Sequence, residues 1–141
     1  IKENIHKYYD AFDTCNHPLN KGDLTPFAEM FVNLVDISMK QLYDEIKNKL
    51  DKFNFYGDLC PKLPNADHKD IVTLYYVLIQ AALFSEDGIS QKELEVFLNA
   101  SYSSVRNKLS CIPGELLIKN TRDRHAYYML DLDKVDMMFS K

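Results

Sequence analysis

The chain has 141 residues, 46% of them apolar and 27% charged, a balance in the range of folded globular domains and unlike that of disordered segments. Its net charge of −4 gives no overall attraction to nucleic acid or to an anionic membrane, so any basic surface has to be local. Cys15, Cys60 and Cys111 stand far apart with no Cys-x-x-Cys pair, which argues against a disulfide framework and fits a reducing cytoplasm.

Ile5, Tyr8, Tyr9 and Phe12 recur at three- and four-residue spacing and predict a short amphipathic helix that is already under way at Ile1. A first helix with no lead-in suggests a piece cut from a longer polypeptide; a native N-terminus mapped to Ile1 would count against this. Residues 16–23 have loop composition, and Thr25-Pro26 reads as a helix start with Thr25 as the cap and Pro26 at the first helical position. From there Phe27, Phe31, Leu34, Leu42, Ile46, Leu50 and Phe53 keep one apolar stripe for about seven turns, while Lys40, Asp44, Glu45, Lys47, Asn48 and Lys52 lie mainly on the other side. A helix of that length needs a partner along it. Gly57, Pro61 and Pro64 predict a break, so residues 1–55 are expected to form a helical hairpin and 56–66 a linker.

Residues 67–141 are expected to form a second domain. Asp67 is placed to cap its first helix, with Asp70 in the opening turn and Ile71, Leu74, Tyr75, Leu78, Ile79 and Ala82 inward. In "GISQKELEVFLNASYSSVRNKLSCI", Ser90 and Glu93 form a capping box, and Leu94, Phe97 and Leu98 make the inner face of a short helix. The turn at 99–101, with Asn99 tolerant of a left-handed conformation, leads to a second short helix capped by Ser101 with Val105, Leu109 and Ile112 inward; two short helices across such a turn are a helix-turn-helix pair. Two β-favouring runs, 116–120 and 125–130, then flank a polar turn and predict a hairpin. A short closing helix follows. The predicted fold is mainly α: a helical hairpin followed by a winged helix-turn-helix with a small β-hairpin.

That order points to nucleic acid, because phosphates attract cations and base edges need directional donors. Ser103, Ser104, Arg106, Asn107 and Lys108 are the candidates on the second helix, and Lys119, Arg122 and Arg124 those on the hairpin. Within 101–130, Arg106, Lys108, Lys119, Arg122 and Arg124 face only Glu115 and Asp123, a local excess of +3 that is modest for a DNA-binding surface. The same fold used for protein contact explains that composition equally well. No metal site is expected: Cys15 with His17, and Cys60 with His68, each lack the third and fourth ligands that zinc requires. Nor does any Ser, Cys or Thr have a base at a motif-like spacing, so no catalytic residue is assigned. The pairs Tyr8-Tyr9, Tyr75-Tyr76 and Tyr127-Tyr128 read as core packing with a wet hydroxyl, one ring inward and one toward the edge. No run approaches the ~18–20 apolar residues of a membrane span, and no signal-peptide pattern stands at the start.

The stretch "IKENIHKYYDAFDTCNHPLNKGDLTPFAEMFVNLV" resembles the last helices of the Fic family, whose members typically move AMP from ATP onto a protein hydroxyl. Tyr8-Tyr9 followed by a loop and then Gly22-Asp23-Leu24-Thr25-Pro26-Phe27 carries the resemblance, and many such proteins add a winged helix after the catalytic domain. The family signature opens on a catalytic His, followed by an acid that holds Mg²⁺ and a glycine-rich phosphate turn. Laid over His17-Pro18, it meets Leu19 for Phe, Lys21 for the acid, Asp23 for Asn, Leu24 for the second Gly and Thr25 for the Arg. His17 is therefore not expected to be a base, and the catalytic motif belongs upstream in the parent protein. The resemblance thus implies a non-catalytic C-terminal segment, with ATP and Mg²⁺ bound only by the parent's catalytic domain and that core as a partner. Residues 27–53 are expected to self-associate, and DNA is a further candidate partner. The alternative is a DNA-binding transcriptional regulator whose N-terminal helices form a dimer interface.

Overall fold

A computed structural model of the chain describes residues 5–140. These are mainly helical with a small antiparallel sheet, in two units that divide between Asn48 and Lys49. The expected start of the first helix at Ile1 lies outside the described residues.

In the first unit, α1 (Ile5–Asn16) buries Ala11 and Cys15. Small side chains make this contact, so the larger rings stay at its edges: Tyr8 meets Phe27 edge-on at 5.6 Å and stacks on Phe12 at 6.4 Å. Tyr8 and Tyr9 are both exposed, which corrects the expectation of one ring inward at that pair. A 3-10 turn (Pro18–Asn20) and a loop lead into α2 (Thr25–Leu59). The loop turns back through two left-handed residues, Lys21 at φ 55° and Gly22 at φ 83°. Asn20 holds the turn closed by donating from Nδ2 to the carbonyls of Cys15 and Asp23. The cap on α2 is Asp23 rather than Thr25: its Oδ1 accepts the Thr25 N–H at 2.9 Å, and bonds from Thr25 hold its carboxyl below the usual range.

In the second unit the core is built around α3 (Lys69–Phe84), where Ile71, Leu74, Tyr75, Val77, Leu78, Ile79 and Ala81 are buried. Val77 and Ala81 join the expected face, while Ala82 is only half-buried. The helix is not capped by Asp67; His68 holds that position and makes no side-chain cap. The residues expected as a linker are instead structural. Tyr56, Cys60 and Leu63 are core residues, because α2 runs on to Leu59 and a 3-10 turn (Cys60–Lys62) carries the chain along α3. Pro61 fits the start of that turn, where a missing N–H costs nothing. Tyr75 Oη donates to the Pro64 carbonyl at 2.8 Å, and Asn65 Nδ2 donates to the Cys111 carbonyl at 2.7 Å, tying down the rest of the stretch.

After α3 come β1 (Ile89–Ser90), α4 (Gln91–Phe97), α5 (Tyr102–Ser110), β2 (Leu117–Arg122), β3 (His125–Leu130) and α6 (Leu132–Phe139). The Ser90–Glu93 capping box forms, with Ser90 N–H donating to Glu93 Oε2 at 2.8 Å and Glu93 N–H to Ser90 Oγ at 3.3 Å. Asn99 takes up φ 45° in the turn between α4 and α5, as its tolerance of that region anticipates. Val105, Leu109 and Ile112 are buried as expected, but of the α4 trio only Leu94 is fully enclosed. Phe97 is 60% exposed, since seven residues give α4 only two turns and little room for a second large inward side chain. The strands stack in the order β1-β3-β2, all antiparallel, with Ile89 facing Tyr128 and Leu117 facing Leu130. β1 has only two residues, too short for period-two alternation to announce it in the sequence.

Candidate functional site

The eight side chains expected to contact nucleic acid fall into three groups once folded. Ser103, Arg106 and Asn107 stand on the outer face of α5 and are exposed. The helix is started by Ser101, whose Oγ accepts the Ser104 N–H at 3.4 Å and lies 3.2 Å from Ser103 Oγ. Ser104 is half-buried, its backbone engaged in the cap. Ser110 Oγ and Cys111 Sγ donate to the backbone carbonyls of Arg106 and Asn107 and close the last turn of α5.

Lys108 and Arg122 form the second group, and both are spent inside the unit. Lys108 Nζ lies 2.8 Å from Asp70 Oδ2, joining α5 to the start of α3, and its side chain is only 20% exposed. That bond holds the Asp70 carboxyl below the ordinary range. The Arg122 guanidinium pairs with the Asp87 carboxylate, which raises its already high pKa further. Asn120 Nδ2 donates to the Asp87 carbonyl at 3.0 Å, so β2 clamps the turn between α3 and β1. Of the local excess of +3, two cations are thus neutralised by carboxylates that lie outside residues 101–130.

The third group is Lys119 and Arg124. Lys119 Nζ sits 5.9 Å from the centre of the Tyr128 ring across the strand pair, a cation–π arrangement that leaves the ammonium in solvent. Arg124 occupies the hairpin tip. Asp123 and Arg124 both have positive φ, 51° and 66°, which makes the tip a tight two-residue turn. This turn brings Arg124 and His125 to the rim of an open groove of about 750 Å³, with Gln91 and Lys92 from α4, Tyr102 from α5 and Tyr127 from β3. Gln91 Nε2 donates to the Tyr102 carbonyl at 3.2 Å and spans the two helices at its floor.

Lys92, Tyr102 and His125 were not singled out in the sequence. Each is polar or aromatic at an unremarkable spacing, and the only local signal was that Tyr102 directly follows a helix cap and Lys92 lies two residues after one. The groove combines two exposed cations, a histidine and two phenol rings with the carboxylate of Glu95, so it suits a polar or phosphate-bearing partner at low net charge.

A separate apolar surface lies on α4, where Val96 is 78% exposed beside Phe97. In the first unit, α2 carries a larger one: Tyr8, Phe31, Leu34, Val35, Ser38 and Leu42 border a hollow of about 350 Å³ whose walls are almost wholly apolar.

The loop that carries the resemblance to the catalytic signature is occupied by local bonds. His17 Nδ1 accepts the Leu19 N–H at 3.3 Å and caps the 3-10 turn, a packing task for the imidazole. Cys15 and Cys60 are buried and Cys111 is exposed, and among the described residues no three His, Cys, Asp or Glu side chains converge as a metal site. Among the same residues no helix is long and apolar enough to cross a membrane. No protein-family model, curated protein or solved structure gives a significant match to the chain.

Proposed function

We propose that the chain is a non-catalytic segment of a Fic-like protein that acts through protein contacts, with residues 67–141 as a winged-helix module and α2 as a docking surface. The observation that carries this reading is the apolar face of α2. Phe31, Val35, Met39, Leu42, Tyr43 and Ile46 all stand exposed along it, a continuous run of the kind that marks an interaction site. The element order α3, β1, α4, α5, β2, β3 supports the winged-helix part. The Fic-like part rests on the Tyr8-Tyr9 pair and the Gly22 to Phe27 motif, with the parent's catalytic core as the first partner and a second copy through residues 27–53 as another. In that parent, in a reducing cytoplasm, ATP and Mg²⁺ would serve AMP transfer upstream of this segment. The test is the coding sequence ahead of Ile1: a His-Pro-Phe loop followed by Gly-Asn-Gly is expected there, and its absence removes the AMP-transfer reading.

The groove favours a second reading, a DNA-binding regulator with α1 and α2 as its dimer interface. Lys92, Arg124 and Tyr102 would then flank a phosphate backbone, with Arg106 and Asn107 toward the bases. Duplex binding that weakens steeply with salt and is lost in Arg106→Ala supports the regulator; weak binding indifferent to that change supports the protein-contact reading.

A further inference from the structure

We infer that the occupant of the bare face of α2 is a second copy of the same helix, antiparallel, with Leu42 on the two-fold axis. This rests on the reading of α2 as a docking surface. The area is sufficient: the exposed parts of Phe31, Val35, Met39, Leu42, Tyr43 and Ile46 amount to roughly 600 Å² per copy, so pairing removes on the order of 1,200 Å², the lower edge of stable specific interfaces.

The shape decides the direction. Around Leu42 the helix is hollow on one side and filled on the other. Ser38, four residues before it, lies in the hollow of about 350 Å³, while Ile46, four residues after it, is an exposed branched side chain. Antiparallel pairing about Leu42 sets Ser38 opposite Ile46 twice, so each hollow receives a knob, and Leu42 meets its own copy. A parallel pair would set Ser38 against Ser38 and Ile46 against Ile46, leaving hollow over hollow and crowding the branched chains. The arrangement is isologous and closes on itself, as a two-fold dimer must.

Neither Ser38 nor the Lys40–Asp36 pair opposes burial. Ser38 Oγ already donates to the Leu34 carbonyl at 2.8 Å, so covering it strands no donor. The Lys40–Asp36 ion pair at 2.7 Å falls on the side of the helix away from Leu42 and stays in water.

The test uses the full chain with Cys111→Ser, the exposed thiol removed. Sedimentation over a wide concentration range should show a monomer–dimer equilibrium that Leu42→Asp abolishes with unchanged far-ultraviolet dichroism; that side chain is exposed, so the fold does not depend on it. Under mild oxidation, a mixture of Ser38→Cys and Ile46→Cys chains should give mainly the mixed cross-link. A preponderance of Ser38→Cys homodimer overturns the antiparallel pairing. A chain that stays monomeric overturns it too. If that monomer still binds a separately produced upstream catalytic core through residues 27–53, the docking reading survives; if it binds nothing, both fall.

Discussion

Substituting the glycines one at a time separates backbone strain from steric collision, and Gly88→Ala carries the largest predicted effect. Gly88 has φ 103°, a conformation that L side chains rarely adopt, and a Cβ there would lie 2.6 Å from the Tyr128 carbonyl oxygen, 2.9 Å from its carbon and 3.2 Å from its nitrogen. The strain alone costs about 1–3 kcal/mol. The collision is with backbone, so it is relieved only by moving β1 away from β3. That movement breaks the Ile89–Tyr128 and Ser90–Tyr127 pairing, at about 1 kcal/mol for each hydrogen bond lost. A total of about 3–5 kcal/mol follows, a large part of the ~5–15 kcal/mol that holds a domain folded. Gly114→Ala in the same unit is the control: φ there is not in the positive region and nothing lies within 4 Å of the added carbon. It should fall within ~1 kcal/mol of the parent, on the stabilising side. Urea unfolding followed by far-ultraviolet dichroism reads the difference. With a slope of about 1–3 kcal/mol per molar, Gly88→Ala should unfold about 2 M earlier than the control. Equal midpoints for the two variants would refute the close approach of Gly88 to β3.

Three further outcomes are expected. Ser90→Ala removes the acceptor for the Glu93 N–H and should cost about 1 kcal/mol in urea unfolding. The Glu93 carboxyl is held below its ordinary value by its bonds to Ser90, so its contribution is present above the ordinary carboxylate range and is lost as pH falls through the lowered pKa; the acid limb of a stability–pH curve should flatten in Ser90→Ala. On the alkaline side, burial pushes Tyr56, Cys60 and Tyr75 up to about 12, with Asp136 adding to the effect at Tyr56. All three are neutral when folded, so their contribution is complete below about pH 9 and should disappear between roughly pH 9 and 12, and Tyr56→Phe should make that loss shallower. Finally, Asp87→Asn frees the Arg122 guanidinium; if the β2–β3 hairpin meets phosphate, duplex affinity should rise and its dependence on salt should steepen by about one charge.

The parts of the fold that were legible in the sequence are those governed by contacts a few residues apart. The Ser90–Glu93 box, the Ser101 cap, the left-handed Asn99 and the hairpin strands all depend on neighbours within one turn or one strand pair, and each forms where its spacing indicates. The helix ends went less well. Gly57 and Pro61 suggested a linker, yet burial of Tyr56, Cys60 and Leu63 against α3 outweighs the local tendency to break. Gly57 is tolerated inside α2 because the Tyr76 ring lies against it, with Cε1 only 2.9 Å from where a Cβ would sit. The candidate site was legible only as a list of residues. Lys108 and Arg122 have the same charge and nearly the same spacing as Arg106 and Arg124, and nothing local distinguishes them.

What separated them was distance along the chain. Asp70 lies 38 residues from Lys108 and Asp87 lies 35 from Arg122, so these pairings exist only once α5 has docked on α3 and the hairpin has closed over the 85–88 turn. By itself, the sequence determined that the chain is mainly helical, the caps at Ser90 and Ser101, the hairpin and the apolar stripe of α2, because each follows from the preferences of adjacent residues. Tertiary structure decided which cations remain exposed, that Arg124, Lys92 and Tyr102 share one groove, and that Ser38 lies in a hollow with Ile46 standing proud. Those outcomes come from close packing between distant segments, where one carboxylate or one missing side chain changes what a surface can bind.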